Sequence, residues 1–138
     1  MLEDLTTSAV FENWSVNYDS EKNIVLVRFI KKTLLTTELL NEIQAVIDDM
    51  TSNTPYLLIT NMEDKITPTI GAYDFYASKE RANKVIKEAF VLASPTLKIA
   101  ANFYYKVKKP IVPSKIFDDE ATATYWLLSE GNPNNIPK

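Results

Sequence analysis

Short apolar runs alternate with helical patterns along most of this 138-residue chain. The segments "PYLLIT" at 55–60 and "AFVLA" at 89–93 are short, apolar and flanked by turn residues, which is typical of buried strands. A helical pattern follows each of them. Because a strand, a helix and the next strand connect most simply as a right-handed parallel unit, the alternation predicts an α/β domain whose later strands are parallel.

The first third of the chain predicts an antiparallel start to the same sheet. Two strand-like segments, 10–18 and 24–30, flank the polar turn "DSEKN" and form a hairpin signal. We therefore expect an α/β fold with a mixed, mostly parallel sheet of about five strands and an opening β-hairpin. We expect one domain over 1–138, with its core at about 10–129 and a flexible tail at 130–138.

The clearest helix pattern begins near Thr36 or Thr37 and ends near Thr51. Apolar residues recur there at three- and four-residue spacing, which places them on one helix face. They are Leu39, Leu40, Ile43, Val46, Ile47 and Met50. This segment is predicted to pack against the sheet.

Three later helices have start signals of the usual kind. Thr67 precedes Pro68 and Ser94 precedes Pro95, so each pair offers a capping hydroxyl and a first-turn proline. Asp118 is the predicted cap of the closing helix, after a strand predicted at 113–117. The acids at 118–120 need no metal to be favourable, because carboxylates suit a first helical turn.

Composition argues against the familiar catalytic chemistries. The chain has no cysteine and no histidine, so it lacks a thiolate nucleophile, the usual general base and the usual zinc or haem ligands. Two glycines cannot build a Walker loop or a glycine-rich dinucleotide turn. We therefore expect a protein that is not an enzyme and needs no cofactor or metal.

Charge and hydropathy limit the partners. A net charge of −3 does not supply the basic field that nucleic-acid binding needs. The most apolar early run, at 24–30, contains Arg28 and is too short for a membrane span. The acidic first ten residues lack the order of a secretion signal, so the expected location is the cytoplasm.

The segment "SPTLKIAANFYYKVKKPIVPSKIFDDEATATYWLL", Ser94 to Leu128, resembles small bacterial STAS-like (SpoIIAA-like) proteins. Those proteins carry a Ser-Pro helix, an Asn-Phe-aromatic stretch, Lys-Pro, Val-Pro, an acidic turn and a Trp-Leu helix. The order of predicted elements extends the resemblance from Phe11 to Leu128. It implies a SpoIIAA-like fold, whereas function does not transfer with fold alone.

In anti-sigma-factor antagonists of this group, a phosphorylatable Ser or Thr follows the central strand. The corresponding segment here, "KITPTIGAY", offers Thr67 and Thr69 but lacks the family's Asp and its Ser-Gly pair. Thr67 is therefore interpreted either as a phosphorylation site favoured by the helix dipole or as an ordinary helix cap.

A basic turn follows the Ser-Pro helix. Its lysines are Lys106, Lys108, Lys109 and Lys115. They could hold an anion or an acidic partner surface, although basic residues also suit the C-terminus of a helix without any partner.

The later helices carry many aromatic residues, and helices cannot bury every face. Trp126 is predicted to be a core residue, whereas Tyr76, Phe103 and Tyr104 are candidates for an apolar pocket or a subunit contact.

Two function classes follow. The first is a non-enzymatic STAS-like regulatory module that binds another protein, with a homodimer as one possible form. The alternative is a carrier or sensor of a small apolar, lipid-like ligand, for which the aromatic helices would line a cavity.

Overall fold

A computed structural model describes residues 6–129 as eight strands, four α-helices and one 3-10 helix. The strands are β1 Thr6–Val10, β2 Trp14–Asp19, β3 Ile24–Phe29, β4 Thr33–Leu35, β5 Tyr56–Glu63, β6 Ile66–Pro68, β7 Val85–Leu92 and β8 Ser114–Phe117. The α-helices are α1 Thr37–Thr51, α2 Ile70–Tyr76, α3 Pro95–Lys108 and α4 Glu120–Leu128, and the 3-10 helix is Lys79–Asn83.

Six strands form the main sheet in the order β1-β2-β3-β5-β7-β8. The first three are antiparallel neighbours, and β3, β5, β7 and β8 run parallel to one another. This confirms the predicted α/β class with an antiparallel start and a parallel remainder. The sheet has one strand more than expected, since β1 precedes the predicted hairpin.

The helices cover the two faces of this sheet unequally. Residues of α1, α2 and α3 pack on one face around a large apolar core that includes Val25, Tyr56 and Phe90. On the other face, α4 packs alone on a smaller core around Ile59, Ala89 and Trp126. Side chains of one strand alternate between the two faces, so neighbouring residues of β7 contribute to different cores.

Helix α1 confirms the clearest sequence prediction. It spans Thr37–Thr51, and the Thr36 hydroxyl caps it by accepting a hydrogen bond from the Leu39 N–H at 3.2 Å. Its buried residues include Leu40, Ile43 and Ile47, as the three- and four-residue spacing requires.

Two predicted helix caps are displaced from their true positions. Thr67 lies in β6 and pairs with Leu34 of β4, so its backbone is extended and Thr69 caps α2 instead. Asp119, not Asp118, caps α4 by accepting a hydrogen bond from the Thr122 N–H at 2.7 Å. Ser94 caps α3 as predicted. The tail predicted at 130–138 lies outside the described residues.

Helix α4 is anchored by an unusual lysine. Trp126 is 2% exposed, as predicted for a core residue. Beside it, the buried Lys87 Nζ donates to the carbonyl oxygens of Trp126 at 3.1 Å and Ser129 at 3.2 Å. The same ammonium lies 4.9 Å from the centroid of the Trp126 ring. Lys87 thus places a positive charge at the C-terminal end of α4, where the helix dipole favours it.

Candidate functional site

An apolar cleft lies between α2 and α3 at the carboxyl ends of the parallel strands. Met62 of β5 and Leu92 of β7 form part of its base, and the small β4–β6 sheet closes one end through Leu35 and Ile66. Crevices at the carboxyl ends of parallel strands are frequent ligand sites in α/β proteins. The cleft therefore has the location, as well as the composition, of a binding site.

Helix α3 forms the outer wall of the cleft without being deeply buried. Leu97, Ala101, Tyr104 and Tyr105 face the cleft, yet no residue of α3 is fully buried. The helix begins at Pro95, and Ser94 caps its first turn. Leu97, Ala101 and Tyr105 thus pack against the edge of the main core and line the cleft at the same time.

Two contacts fasten α3 to α2 across the mouth of the cleft. The rings of Tyr73 and Tyr104 stack with centroids 3.7 Å apart and planes 4° apart. Lys108 at the end of α3 forms an ion pair with Asp74 at 2.8 Å. Because both contacts join partly exposed side chains, water competes with them, and they hold the helix less firmly than a packed core would.

The cleft is narrow in this structure. The cavity within it has a volume of about 60 Å³, which holds only a few water molecules. Among the residues that the structure describes, only Lys108 brings a charged side chain to the lining. An apolar ligand larger than a few atoms would need α3 to move outward.

A buried ion pair lies beneath the cleft. The Arg81 guanidinium donates two hydrogen bonds to the Glu88 carboxylate, at 2.7 and 2.8 Å, with the two side chains 5% and 1% exposed. Arg81 also donates to the Tyr76 carbonyl oxygen at 3.2 Å. Burial alone would lower the pKa of Arg81, but the charge and hydrogen bonds of Glu88 outweigh it and raise that pKa.

This pair positions the floor of the cleft. The Arg81 guanidinium carbon lies 5.0 Å from the centroid of the Tyr76 ring, which in turn meets the Phe90 ring edge-on at 5.1 Å. Sequence analysis did not identify the pair. The available signal was Glu88 itself, a carboxylate inside the otherwise apolar end of β7, since buried charges need partners.

Three tyrosines surround the same ion pair, of which Tyr56 is buried and Tyr76 and Tyr105 are half-buried. Burial raises the pKa of Tyr56 to about 12, and it also raises the pKa values of Tyr76 and Tyr105. Neutral phenols of this kind neither donate charge to the site nor act as bases near neutral pH. The arrangement supports binding more readily than acid–base chemistry.

The structure places two of the three predicted pocket residues in the cleft. Tyr76 forms its floor and Tyr104 its mouth. Phe103 does not line the cleft but points outward on α3 and is 61% exposed. One turn before it and one turn after it, Ile99 and Val107 are 72% and 58% exposed, so the three form an outer apolar stripe.

The four predicted lysines do not share one surface. Lys106, Lys108 and Lys109 lie at the end of α3, where Lys109 ends the helix in a left-handed conformation. Lys115 lies on β8 opposite Ala89, on the face that α4 covers. It lines a separate polar cleft that also includes Lys98 and Asp118.

The two candidate threonines differ in how their hydroxyls are used. The Thr69 hydroxyl accepts from the Ala72 N–H at 3.2 Å and donates to the Leu35 carbonyl oxygen at 2.8 Å. Thr67 is exposed on β6. A phosphate on Thr69 would remove the hydrogen bond donated to Leu35, whereas a phosphate on Thr67 would not meet a helix N-terminus.

The acids at the start of α4 are occupied by other contacts. Glu120 accepts hydrogen bonds from Arg28 at 2.7 and 2.8 Å and from Asn61 at 2.6 Å. The hydrogen bond from Arg28 lowers the pKa of Glu120. Within residues 6–129, no group of three or more acidic side chains is arranged to hold a metal ion.

None of the helices described in 6–129 has the length and apolar character needed to cross a membrane.

No curated protein matches the chain. An uncharacterized protein of the DUF3478 family from Shewanella loihica PV-4, described as having a SpoIIAA-like fold, is similar in structure, with a TM-score of 0.59 and 14% sequence identity. The match covers 92% of this chain and 98% of that one. At this identity the likeness shows the fold alone, and it confirms the SpoIIAA-like resemblance.

A protein-family model matches most of the chain. Residues 18–130 match the domain of unknown function DUF7793, which spans the sheet from the end of β2 onward and includes every residue of the cleft lining. The chain therefore belongs to the DUF7793 family and has a SpoIIAA-like fold.

Proposed function

We propose that this domain is a non-enzymatic binding module that holds a small apolar ligand in the cleft between α2 and α3. The observation that carries the proposal is the cleft itself, an apolar crevice at the carboxyl ends of β5 and β7. Ligand pockets typically combine apolar walls with a few polar groups at defined positions. The polar side chains among the lining residues are four tyrosines and one lysine, namely Tyr73, Tyr76, Tyr104, Tyr105 and Lys108.

The way in which α3 is attached supports the same function. A ligand must displace α3 because the cleft is narrow, and only surface contacts fasten that helix to α2. Separating one tyrosine stack costs about 1 kcal/mol, which a buried apolar ligand offsets by a few methylene groups. Moving α3 outward also withdraws Leu97, Ala101 and Tyr105 from the main core, so the ligand must replace these apolar contacts as well.

The absence of a nucleophile–base pair supports a role without catalysis. The sequence has no histidine or cysteine, and the hydroxyls in the cleft belong to tyrosines. The phenols that burial affects most have raised pKa values, so they do not provide a general base.

The test is titration with N-phenyl-1-naphthylamine, a neutral dye whose fluorescence rises in apolar pockets. Ala101 lines the cleft on α3, so Ala101→Phe should fill it and weaken dye binding at least about tenfold. A matched control on the outer side of the same helix is the double variant Ile99→Ser, Phe103→Ser. Dye binding that survives in Ala101→Phe and disappears in the control would assign the dye to the surface and contradict the proposal.

A second candidate function is protein binding through the outer stripe of α3. Ile99, Phe103 and Val107 form a continuous exposed apolar surface beside Lys106 and Lys109, which fits a partner with an apolar ridge and acidic flanks. In a pull-down, the double variant should lose a stoichiometric partner that the wild type retains. Equal retention by the two proteins would exclude the stripe as the binding surface.

A further inference from the structure

Strand β1 forms one edge of the main sheet, and no other strand in residues 6–129 pairs with its outer side. The hairpin turn shows which backbone groups face outward. Phe11 N–H donates to the Trp14 carbonyl oxygen at 2.8 Å, so these two residues form a hydrogen-bonded pair. Such pairs alternate in an antiparallel ladder, so Ala9 bonds to β2 while Ser8 directs its N–H and C=O to the free edge.

The two edges of the sheet differ in how they are protected. Edge strands normally carry charges, prolines or bulges that prevent pairing with another chain. Strand β8 follows this rule, since Pro113 precedes it and Lys115 lies within it. Strand β1 has no charged residue and no proline, and its register with β2 continues without a shift. The β1 edge therefore lacks the charge, proline and bulge that protect other edge strands.

We propose that β1 pairs with β1 of a second copy of this chain, antiparallel about a twofold axis through Ser8. In this register Ser8 lies opposite the second copy's Ser8. Because both residues direct their backbone groups outward, they exchange two N–H···O=C hydrogen bonds. The result is one sheet that continues from one copy into the other.

The side chains of β1 favour a second copy over a charged partner. Val10 is 76% exposed, which leaves a large apolar side chain next to the free edge. Ser8 is exposed, and its hydroxyl accepts a hydrogen bond from Asn17 at 2.8 Å, which keeps the side chain on the face of the sheet and off its edge. With no charge on the strand, the twofold register places no like charges together.

The expected association is weak. Two five-residue strands bury less surface than the roughly 1,200 Å² of a stable interface, so the dimer should form only at high concentration. Sedimentation velocity from about 10 µM to about 1 mM should show a concentration-dependent shift from monomer to dimer. A protein that stays monomeric throughout that range would overturn the proposal.

Charge exchange at Ser8 tests the register. Ser8→Lys and Ser8→Glu each place two like charges directly opposite one another, so each variant alone should associate at least about fivefold more weakly than the wild type. An equimolar mixture of the two should recover association, because opposite charges then face each other. Failure of the mixture to recover would rule out the twofold register.

Two further variants separate edge pairing from loss of folding. Ser8→Pro removes an outward N–H and no bond to β2, so it should abolish association while circular dichroism stays native. Ser15→Lys adds the same charge one strand inward, opposite Val10, and should associate like the wild type. Equal weakening by Ser15→Lys and Ser8→Lys would contradict the assignment to the edge.

Discussion

Helices α3 and α4 each follow a parallel strand and each begin at a side-chain cap, yet they are attached to the sheet differently. Helix α4 buries Ala123, Trp126 and Leu127. Helix α3 buries no residue fully and exposes an apolar stripe outward. Helix α3 is the more amphipathic of the two, yet it is the less buried. Burial, more than amphipathicity, therefore separates a structural helix from the wall of a binding site.

The largest expected effect is on the anchored helix. Trp126→Ala should lower the free energy of unfolding by about 3–5 kcal/mol, because it leaves a cavity where a large aromatic ring was packed. Urea denaturation measures this. Tyr125→Ala is the matched control, since Tyr125 is exposed on the same helix and should change stability by less than about 0.5 kcal/mol. Similar losses in the two variants would show that α4 is not anchored through Trp126.

Alkaline pH should destabilise chiefly the core on the sheet face that α1, α2 and α3 cover. Burial raises the pKa of Tyr56 in the folded protein to about 12, above its usual value of 10.0. Its contribution to the free energy of unfolding is therefore complete below pH 10 and declines as the pH rises towards 12. In Tyr56→Phe the free energy of unfolding should fall by up to about 2–3 kcal/mol less between pH 10 and pH 12 than in the wild type, as measured by urea denaturation at several pH values. If Tyr56→Phe has the same pH dependence as the wild type, Tyr56 does not contribute to alkaline unfolding.

The start of α2 tests which threonine is structural. Thr69→Ala should destabilise the domain by about 1 kcal/mol, because the cap and the hydrogen bond to Leu35 are lost. Thr67→Ala should cost less than about 0.5 kcal/mol, since Thr67 is exposed. Thermal or urea unfolding of the two variants checks this, and the reverse order would restore Thr67 as the cap.

A local effect of similar size concerns the fastening of α3. Tyr104→Ala removes the stack on Tyr73 and should lower the free energy of local opening of α3 by about 0.5–1.5 kcal/mol. Amide hydrogen exchange of α3 should therefore accelerate while that of α4 stays unchanged. Val107→Ala is the control on the exposed side of α3. Equal acceleration in the two variants would show that the stack does not fasten the helix.

Local patterns predicted the fold well where the relevant contacts are local. Helix α1 with its Thr36 cap and helix α3 with its Ser94 cap follow from spacing and capping chemistry within a few residues. The predicted cap at Thr67 was wrong because a distant strand decides its backbone conformation. Thr67 pairs with Leu34 across more than thirty residues, and no local pattern encodes that pairing.

The sequence suggested one apolar pocket for three aromatic residues, and two of them line the cleft. Tyr76 and Tyr104 were identified because aromatic residues on several helices exceed what a core can bury. Phe103 was assigned with them, although its neighbour Tyr104 occupies the inward position on α3. Apolar residues lie on both the inner and the outer side of α3, so the sequence alone does not show which of two adjacent aromatic residues faces the cleft.

Hydrogen exchange of the wild type with and without N-phenyl-1-naphthylamine tests the central claim most directly. If the cleft beneath α3 holds an apolar ligand, the dye should slow exchange in α2 and α3 and leave α4 unchanged, because a bound molecule opposes local unfolding of the helices that it contacts. Unchanged exchange in α3 at saturating dye, or protection confined to another part of the chain, would contradict a ligand site between α2 and α3.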